Sequence, residues 1–478
     1  MKKICCDLDG TLVNTDMLLE SFLFAWKNNI FIPIFCVYWL VKGGKVLLKS
    51  ELAQRFVFDP NLLPYNQTVV NYLIEQKELG AEIFLVSASD AMITKKIESI
   101  FPFFSPFEKD SSVNMAGSNK AKFLVSIFGE KGFSYIGNAT IDLNVWKHAD
   151  EVICVNCTRS IIKKSLKLVE DTKKHIVLSK KLEMLMRIKA VASMARVHQW
   201  VKNLLVFTPL CAAHTFPTWE QLGLVALSFI SFNFLASSVY VLNDLLDLEN
   251  DRKHQTKKNR AFASGKVSIL SGFFYLPLLI ALSYGIASFI GIGFVCVLTC
   301  YLIVTLLYSF KLKKVPILDT LTLSVLYTSR IVAGMVAINV SVSLWLLTFS
   351  IFFFLALAFV KRYAELNNMI KMNKTKASGR GYVAEDITFV GQIGCSLGVV
   401  SALIFTLYLS EPAIQQTFTN IYVTYLSVPI LLYWIAFVFF NAHRGYMHED
   451  PVVFAVKNKI SLVAGLLFAT TFFLGGVW

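Results

Sequence analysis

Two regimes of hydrophobic patterning divide the chain. Up to about residue 180, apolar residues come in short runs closed by polar or glycine-containing turns, as in Lys2–Cys6, Ile83–Val86 and Val152–Val155. Runs of that length bounded by turn signals predict buried strands, with Val152–Val155 as the last. From residue 203 onward the runs lengthen to membrane-crossing size and predict nine spans, at 203–217, 220–243, 268–288, 291–310, 316–337, 342–361, 387–409, 419–440 and 459–477. The first is short enough to tilt or pack within the bundle. Phe22–Leu40 is also strongly apolar, but Lys27, Asn28 and Asn29 interrupt it. It predicts a helical segment lying on the membrane surface rather than crossing it.

Charge placement orients these spans. The connections 249–266, 311–314, 361–386 and 441–459 carry 6, 3, 6 and 3 Lys and Arg, and those at 214–219, 289–290, 338–341 and 410–418 carry none. The positive-inside rule puts the first set, and with it the N-terminal part, in the cytoplasm. Composition agrees with a membrane protein: of 478 residues 55% are hydrophobic and 40 are Phe, with a mean hydropathy of +0.58. The net charge of +14 is then read as attraction to anionic headgroups and not to nucleic acid. A basic stretch from Lys163 to Lys181 leads into a linker at 181–195. The nine cysteines are scattered; Cys211, Cys296 and Cys300 lie in apolar runs, and Cys154-x-x-Cys157 has no second pair, so it reads as a strand end and not a zinc site. Met1 leads within six residues into an acidic motif, which excludes a signal peptide.

The densest chemistry lies at the end of the second span, in Asn243-Asp244-Leu245-Leu246-Asp247-Leu248-Glu249-Asn250-Asp251-Arg252. On a helix, Asp244, Asp247 and Asp251 fall within an arc of about 60°. Carboxylates so placed repel one another unless a cation sits among them, and hard oxygen ligands at a phosphate site suit Mg²⁺. Arg252, Lys253, Lys257, Lys258 and Arg260 follow at once. Acidic and basic clusters together predict a magnesium–pyrophosphate site at the mouth of a membrane helix.

A second constellation opens the chain. The first strand runs into Asp7-Leu8-Asp9-Gly10-Thr11, which puts two carboxylates two residues apart on one side. Ile83–Val86 ends in Ser87; Lys120 follows in Gly117-Ser118-Asn119-Lys120, and then comes Tyr135-Ile136-Gly137-Asn138-Ala139-Thr140-Ile141-Asp142. These four stretches, in order, resemble the haloacid dehalogenase-like phosphohydrolases, whose first motif is D-x-D-G-T. The resemblance implies a Rossmann-like α/β fold over 1–180 with a helical cap at about 17–76. It makes Asp7 the nucleophile, Asp9 the general acid/base, and Ser87 and Lys120 phosphate-binding groups. Mg²⁺ would sit on Asp7, Asp9 and Asp142. The family more often has Asp where Asn138 stands.

The membrane half, 196–478, resembles the UbiA superfamily of intramembrane prenyltransferases, an all-α bundle of about nine helices. Within it the match is best to the decaprenyl-phosphate phosphoribosyltransferase branch. The residues that carry it are Gln199–Asn203, Asn243–Arg252, Tyr308–Lys313, Pro316 with Asp319, Val360–Leu366 and Arg380–Tyr382. The second acidic motif of the superfamily is reduced here to Asp319, with Arg330 eleven residues on. The resemblance implies transfer of 5-phosphoribose from 5-phosphoribosyl-1-pyrophosphate to a polyprenyl phosphate. Asp244 and Asp247 would be catalytic, and both, with Asp251, would hold Mg²⁺. Lys202, Asn243, Arg252, Lys311, Asp319, Arg330, Lys361, Arg362 and Tyr363 would bind substrate. It implies a multi-pass protein of the bacterial inner membrane. The N-terminal domain would then remove the 5-phosphate from the lipid product. Two other readings stay open: an aromatic prenyltransferase using a prenyl diphosphate, and a non-catalytic, regulatory N-terminal module. His443, His448, Glu449 and Asp450 show no metal-ligand spacing, and nothing is assigned to them. Chain length of the lipid and oligomeric state are not legible.

Overall fold

The computed structural model describes residues 1–106, 117–179, 184–212, 217–341, 343–373, 380–447 and 450–476; His448 and Glu449, and Lys180 and Lys181 of the basic stretch, lie outside them. The chain packs as two compact units. One comprises Met1–Ala195 together with Tyr240–Leu276, the other Arg196–Val239 together with Pro277–Trp478.

The first unit is built on a five-stranded parallel sheet, β1 (Lys3–Cys6), β2 (Glu82–Leu85), β3 (Ser134–Gly137), β4 (Glu151–Cys154) and β5 (His175–Val177), in the order β2-β1-β3-β4-β5. Ile4 pairs with Ile83 on one side and Ser134 on the other. The strand at 152–155 is therefore not the last: β5 adds an edge, pairing His175 with Val152. Its three half-buried residues are too few to stand out from the lysines around them. The chain leaves β1 toward one neighbour and returns on the other, so the carboxyl ends of β1, β2 and β3 flank a topological switch point, where open parallel sheets place their ligand crevice.

Helices α1 (Met17–Asn28), α2 (Ile32–Arg55), α3 (Gln67–Glu78), α4 (Ala91–Glu98), α5 (Ser118–Phe128), α6 (Leu143–Trp146), α7 (Arg159–Leu166) and α8 (Met184–Met194) complete the N-terminal part. Asp16 caps α1 by accepting the N–H groups of Leu18 and Leu19. α2 bends at Gly43-Gly44, where the backbone leaves helical geometry. Its first half exposes Ile34, Val37, Tyr38 and Val41. α3 buries Val69, Val70 and Leu73 in the core around β1 and β2. α8 occupies most of the stretch expected to be a linker.

The remaining elements are α9 (Thr208–Ala212), α10 (Trp219–Leu246), α11 (Leu248–Lys253), α12 (Ile269–Ile290), α13 (Ile292–Phe310), α14 (Leu318–Ala337), α15 (Leu344–Lys371), α16 (Ile387–Ser410), α17 (Pro412–Gln415), α18 (Ile421–Tyr425), α19 (Ser427–Arg444), α20 (Pro451–Lys457) and α21 (Lys459–Gly475). Among the described residues, seven helical stretches are long and apolar enough to cross a membrane. An eighth span is counted if α20 and α21, bent by 85° at Asn458, form one. The expected count of nine is thereby corrected. The span not seen is 203–217: among its described residues, those up to Phe207 belong to a 3-10 stretch, Val197–Phe207, and Thr208–Ala212 to the short α9, while 213–216 lie outside the described residues. Its polar residues explain this. Lys202 and Asn203 turn inward and are buried, and irregular backbone is tolerated at that depth only where protein covers it.

Candidate functional site

Three polar clusters hold the residues that the sequence singles out. The first forms where β1 ends. Asp7 accepts a hydrogen bond from Lys120 Nζ at 2.7 Å, and Lys120 also donates to Tyr135 at 2.9 Å. The Tyr135 hydroxyl donates to Asp142 at 3.2 Å. Asp142 takes the backbone N–H groups of Asn138 and Ala139 at 2.9 Å each. Asp9 accepts Met17 N at 2.7 Å, Ser89 Oγ at 2.8 Å and Ser87 Oγ at 3.5 Å. Gly10 turns the loop with φ +73°; a Cβ there would lie 2.0 Å from Asn138 Nδ2. Thr11 Oγ1 is buried without a hydrogen-bond partner. An orphaned hydroxyl in this loop is costly unless a ligand satisfies it.

Burial, with the charges of Asp16 and Asp7, pushes the Asp9 carboxyl up to about 6, against the Met17 and Ser89 hydrogen bonds. Burial and Asp7 likewise push Asp142 up to about 6, opposed by Lys120 and the two backbone donors. Burial lowers Lys120, but Asp7 and Asp142 outweigh it and hold the ammonium above its ordinary value. Three contributors escaped the sequence reading. Tyr135 lay inside a quoted motif without a role, and Ser89 stands two residues beyond Ser87, on the same side of an extended chain. Lys49 of α2 donates to the Ala88 carbonyl at 2.8 Å. Burial lowers its ammonium while Asp9 and Asp16 pull it back up, which puts a cap lysine in the field of the motif carboxylates.

The second cluster is the acidic segment, which packs in the same unit. The expected single arc of three carboxylates is divided. α10 stops at Leu246, Asp247 caps α11, and its carboxylate meets Lys27 of α1 at 3.3 Å. Asp244 and Asp251 instead share one nitrogen of Arg260, at 3.1 Å and 2.7 Å. Among the described residues, no three His, Cys, Asp or Glu side chains converge as metal ligands. Arg252 turns into protein: its guanidinium grips Glu20 of α1 and donates to the Ala263 carbonyl. Gly265 packs on Asn14, where a Cβ would come within 2.6 Å of the Asn14 carbonyl oxygen. The loop after the acidic motif therefore rests on the loop after Asp7 and Asp9. Asn243 is half-buried on α10.

The third cluster lies in the second unit. Asp319 is fully buried on α14 and accepts Arg362 Nε at 2.6 Å, Arg380 Nη1 at 3.3 Å and the Tyr382 hydroxyl at 2.8 Å. Arg362 also pairs with Glu365 at 2.5 Å. Beside them, Asp450 takes Lys202 at 2.8 Å and Lys361 at 2.9 Å. Arg330 bonds Asn203 at 2.6 Å, the Leu326 carbonyl and the Tyr301 hydroxyl. Tyr363 bonds His443 at 2.8 Å. Lys311 is exposed at the end of α13. Arg380, Tyr382 and Glu365 were visible only as parts of matching motifs. Asp450 carried no signal at all.

A family model described as the UbiA prenyltransferase family matches residues 204–462. The chain belongs to that family. It is thus an integral membrane protein built on the UbiA fold, with the sequence from Trp219 onward supplying the membrane helices. A protein of Sinorhizobium fredii called y4nM is 33% identical over 98% of this chain and 90% of its own length, so the likeness extends through the N-terminal part. Nodulation protein NoeC of Azorhizobium caulinodans is 35% identical over 56% of this chain and 87% of its own. The decaprenyl-phosphate phosphoribosyltransferase of Corynebacterium glutamicum is 34% identical over 45% of this chain and 67% of its own.

Proposed function

We propose that this UbiA-family protein transfers 5-phosphoribose from 5-phosphoribosyl-1-pyrophosphate to a polyprenyl phosphate. An oxygen of the lipid phosphate attacks the anomeric carbon of the ribose, and pyrophosphate leaves. The observation that carries the reading is the surroundings of Asp319. Its carboxylate is taken up by Arg362, Arg380 and Tyr382, with Glu365 balancing the second guanidinium, so it is already engaged by protein. A donor held through two acid-rich motifs bridged by metal needs carboxylates there, and this chain offers guanidinium groups instead. Likeness to the decaprenyl-phosphate phosphoribosyltransferases points the same way.

Asp244 and Asp251 fit a divalent cation: both carboxylates already reach one cationic atom, a nitrogen of Arg260. They offer the hard oxygen donors that Mg²⁺ takes, while Asp247 is turned to Lys27. When bound, Mg²⁺ supplies charge stabilisation to a pyrophosphate leaving group. Lys202, Lys361 and Arg362 bind and orient phosphate oxygens, Asn243 offers a neutral hydrogen-bonding group, and apolar helix faces take the prenyl chain.

The N-terminal unit, on this reading, is a haloacid dehalogenase-like phosphatase acting on the 5-phosphate of the lipid product. Asp7 attacks phosphorus, and Lys120 and Ser87 hold the phosphoryl oxygens. Asp9, pushed up to about 6, holds a proton for the leaving oxygen. Asp7, Asp9 and Asp142 would supply the oxygen donors for Mg²⁺ on this reading, though as they stand the three do not converge on one point. The exposed apolar residues of α2 support a cap lying against the lipid surface of the cytoplasmic leaflet. The test is direct. Purified protein receives polyprenyl phosphate, 5-phosphoribosyl-1-pyrophosphate and Mg²⁺, and the lipids are weighed by mass spectrometry. Polyprenyl-phosphoryl-ribose is expected; absence of any ribosylated lipid overturns the transferase reading.

A further inference from the structure

The buried charges of the second unit do not balance. Around Asp319 two guanidinium groups, Arg362 and Arg380, face two carboxylates, Asp319 and Glu365. Around Asp450 the count differs. Lys202 and Lys361 share one carboxylate oxygen, Asp450 Oδ2. Arg330 and Lys202 both lie against Tyr327: the Arg330 guanidinium carbon is 5.4 Å from the centre of its ring, and Lys202 Nζ is 5.8 Å from it. The Tyr327 hydroxyl donates to Asp450 at 3.0 Å. Among the described residues, Arg330 has no carboxylate partner; it donates to Asn203, Tyr301 and the Leu326 carbonyl. Three cations and one carboxylate are therefore gathered about one ring, and Lys202, Arg330 and Asp450 are at most about a tenth exposed. Two uncompensated positive charges inside a membrane protein are expensive unless something anionic completes them.

The walls say what kind of anion. A small cavity there is lined by Leu323, Tyr327, Leu357, Ala358, Pro451 and Val452, besides Lys361 and Asp450. Tyr327 stacks on Phe354 with ring centres 5.0 Å apart. A phosphate monoester carries close to two negative charges near neutral pH, so in place of the single charge of Asp450 it matches the three cations more closely, and apolar walls suit an ester of a long hydrocarbon. Asp450 is also poised to leave. It caps α20 through Val452 N at 3.2 Å, Pro451 follows it, and α20 is a short segment set off from α21 by the 85° bend.

We propose that Lys202, Arg330, Lys361 and Tyr327 form the seat for the phosphate of a lipid phosphomonoester, and that Asp450 is a placeholder counter-ion which the phosphate displaces. The identification of that lipid as the acceptor rests on the transferase reading above; the seat itself does not. Binding is therefore measured without sugar donor and without metal. Wild-type protein in detergent is titrated with polyprenyl phosphate, and backbone hydrogen exchange is followed across 450–458. Exchange at Val452 and along α20 is expected to rise several-fold as Asp450 gives up its cap. The Asp450→Asn variant is expected to bind polyprenyl phosphate several-fold more tightly, because no carboxylate competes, and Lys361→Gln less tightly. Unchanged or greater protection of α20 on saturation overturns the displacement, whether or not the variant folds. Weaker binding by a folded Asp450→Asn overturns it too. A response to inorganic pyrophosphate with none to the lipid would assign the seat to the soluble donor and overturn the lipid assignment. If the seat binds polyprenyl phosphate and turnover yields no ribosylated product, the failure lies with the donor and not with the seat.

Discussion

Arg252 holds Glu20 with two nitrogens, at 3.1 Å and 2.6 Å, and both side chains are almost wholly buried. One residue belongs to α1, close behind the Asp7–Asp9 motif, and the other to α11, within the acidic motif. Thr15 adds a hydrogen bond to Glu20 at 2.7 Å. Removing one partner of such a pair leaves a buried charge unmatched, so Glu20→Gln or Arg252→Met should each destabilise the first unit by about 3 kcal/mol. The double variant should cost clearly less than the sum of the two. Denaturant unfolding of the three variants in detergent, read by a probe in the first unit, measures this; additive losses would show the pair to be uncoupled.

For the transferase, Asp244→Ala or Asp247→Ala should abolish lipid ribosylation, and chelation of divalent cations should do the same to wild-type protein. Helix content should not change. Radiolabelled ribose incorporation into lipid is the measurement, and transfer at near wild-type rate in both variants would refute the assignment of the acidic motif.

For the N-terminal site, Asp7→Asn removes the attacking charge and little volume. The membrane half should still transfer, and the lipid should then retain its 5-phosphate, heavier than the wild-type product by one phosphate group. Asp9→Asn should behave the same way for want of a proton donor. Asn138→Asp should raise phosphate release. The decisive outcome is wild-type protein that yields only 5-phosphorylated lipid and no free phosphate; the N-terminal unit would then be a docking or regulatory module.

Orientation is open to labelling. In a cysteine-free background, Gln416→Cys should react with an impermeant maleimide added to intact cells, and Asn373→Cys should not react until the cells are opened. The expectation follows from loops of 6, 3, 6 and 3 Lys and Arg on one side and none on the other. The reverse pattern would invert the topology.

The strands that end just before Asp7 and Ser87 were legible because short apolar runs ended in chemistry that a strand end can present. Six of the spans that the apolar runs predict, those beginning at 220, 268, 291, 316, 342 and 387, correspond to helices α10 and α12–α16. What stayed hidden depended on partners far along the chain. Glu20 reads as one more helix carboxylate until Arg252, 232 residues away, is set against it. The stretch from 203 reads as the start of a span because hydropathy does not show that Lys202 and Asn203, at its edge, face protein. Asp247 parts from Asp244 and Asp251 because the helix ends between them, and a 100° wheel assumes that it does not.

The first unit closes around a segment, Tyr240–Leu276, that is synthesised long after its sheet. At about 5–20 residues per second, Arg252 emerges from the ribosome on the order of tens of seconds behind Glu20. Through that interval the sheet's five strands are complete while α1 displays a carboxylate with no counter-charge, and the surface that Gly265 will cover stays open. α10 must also be threaded into the bilayer before the closing segment can arrive. Completion of the first unit therefore waits for the chain through Leu276, and a fragment ending at Ala195 would lack the partner of Glu20 and the cover that Gly265 gives Asn14.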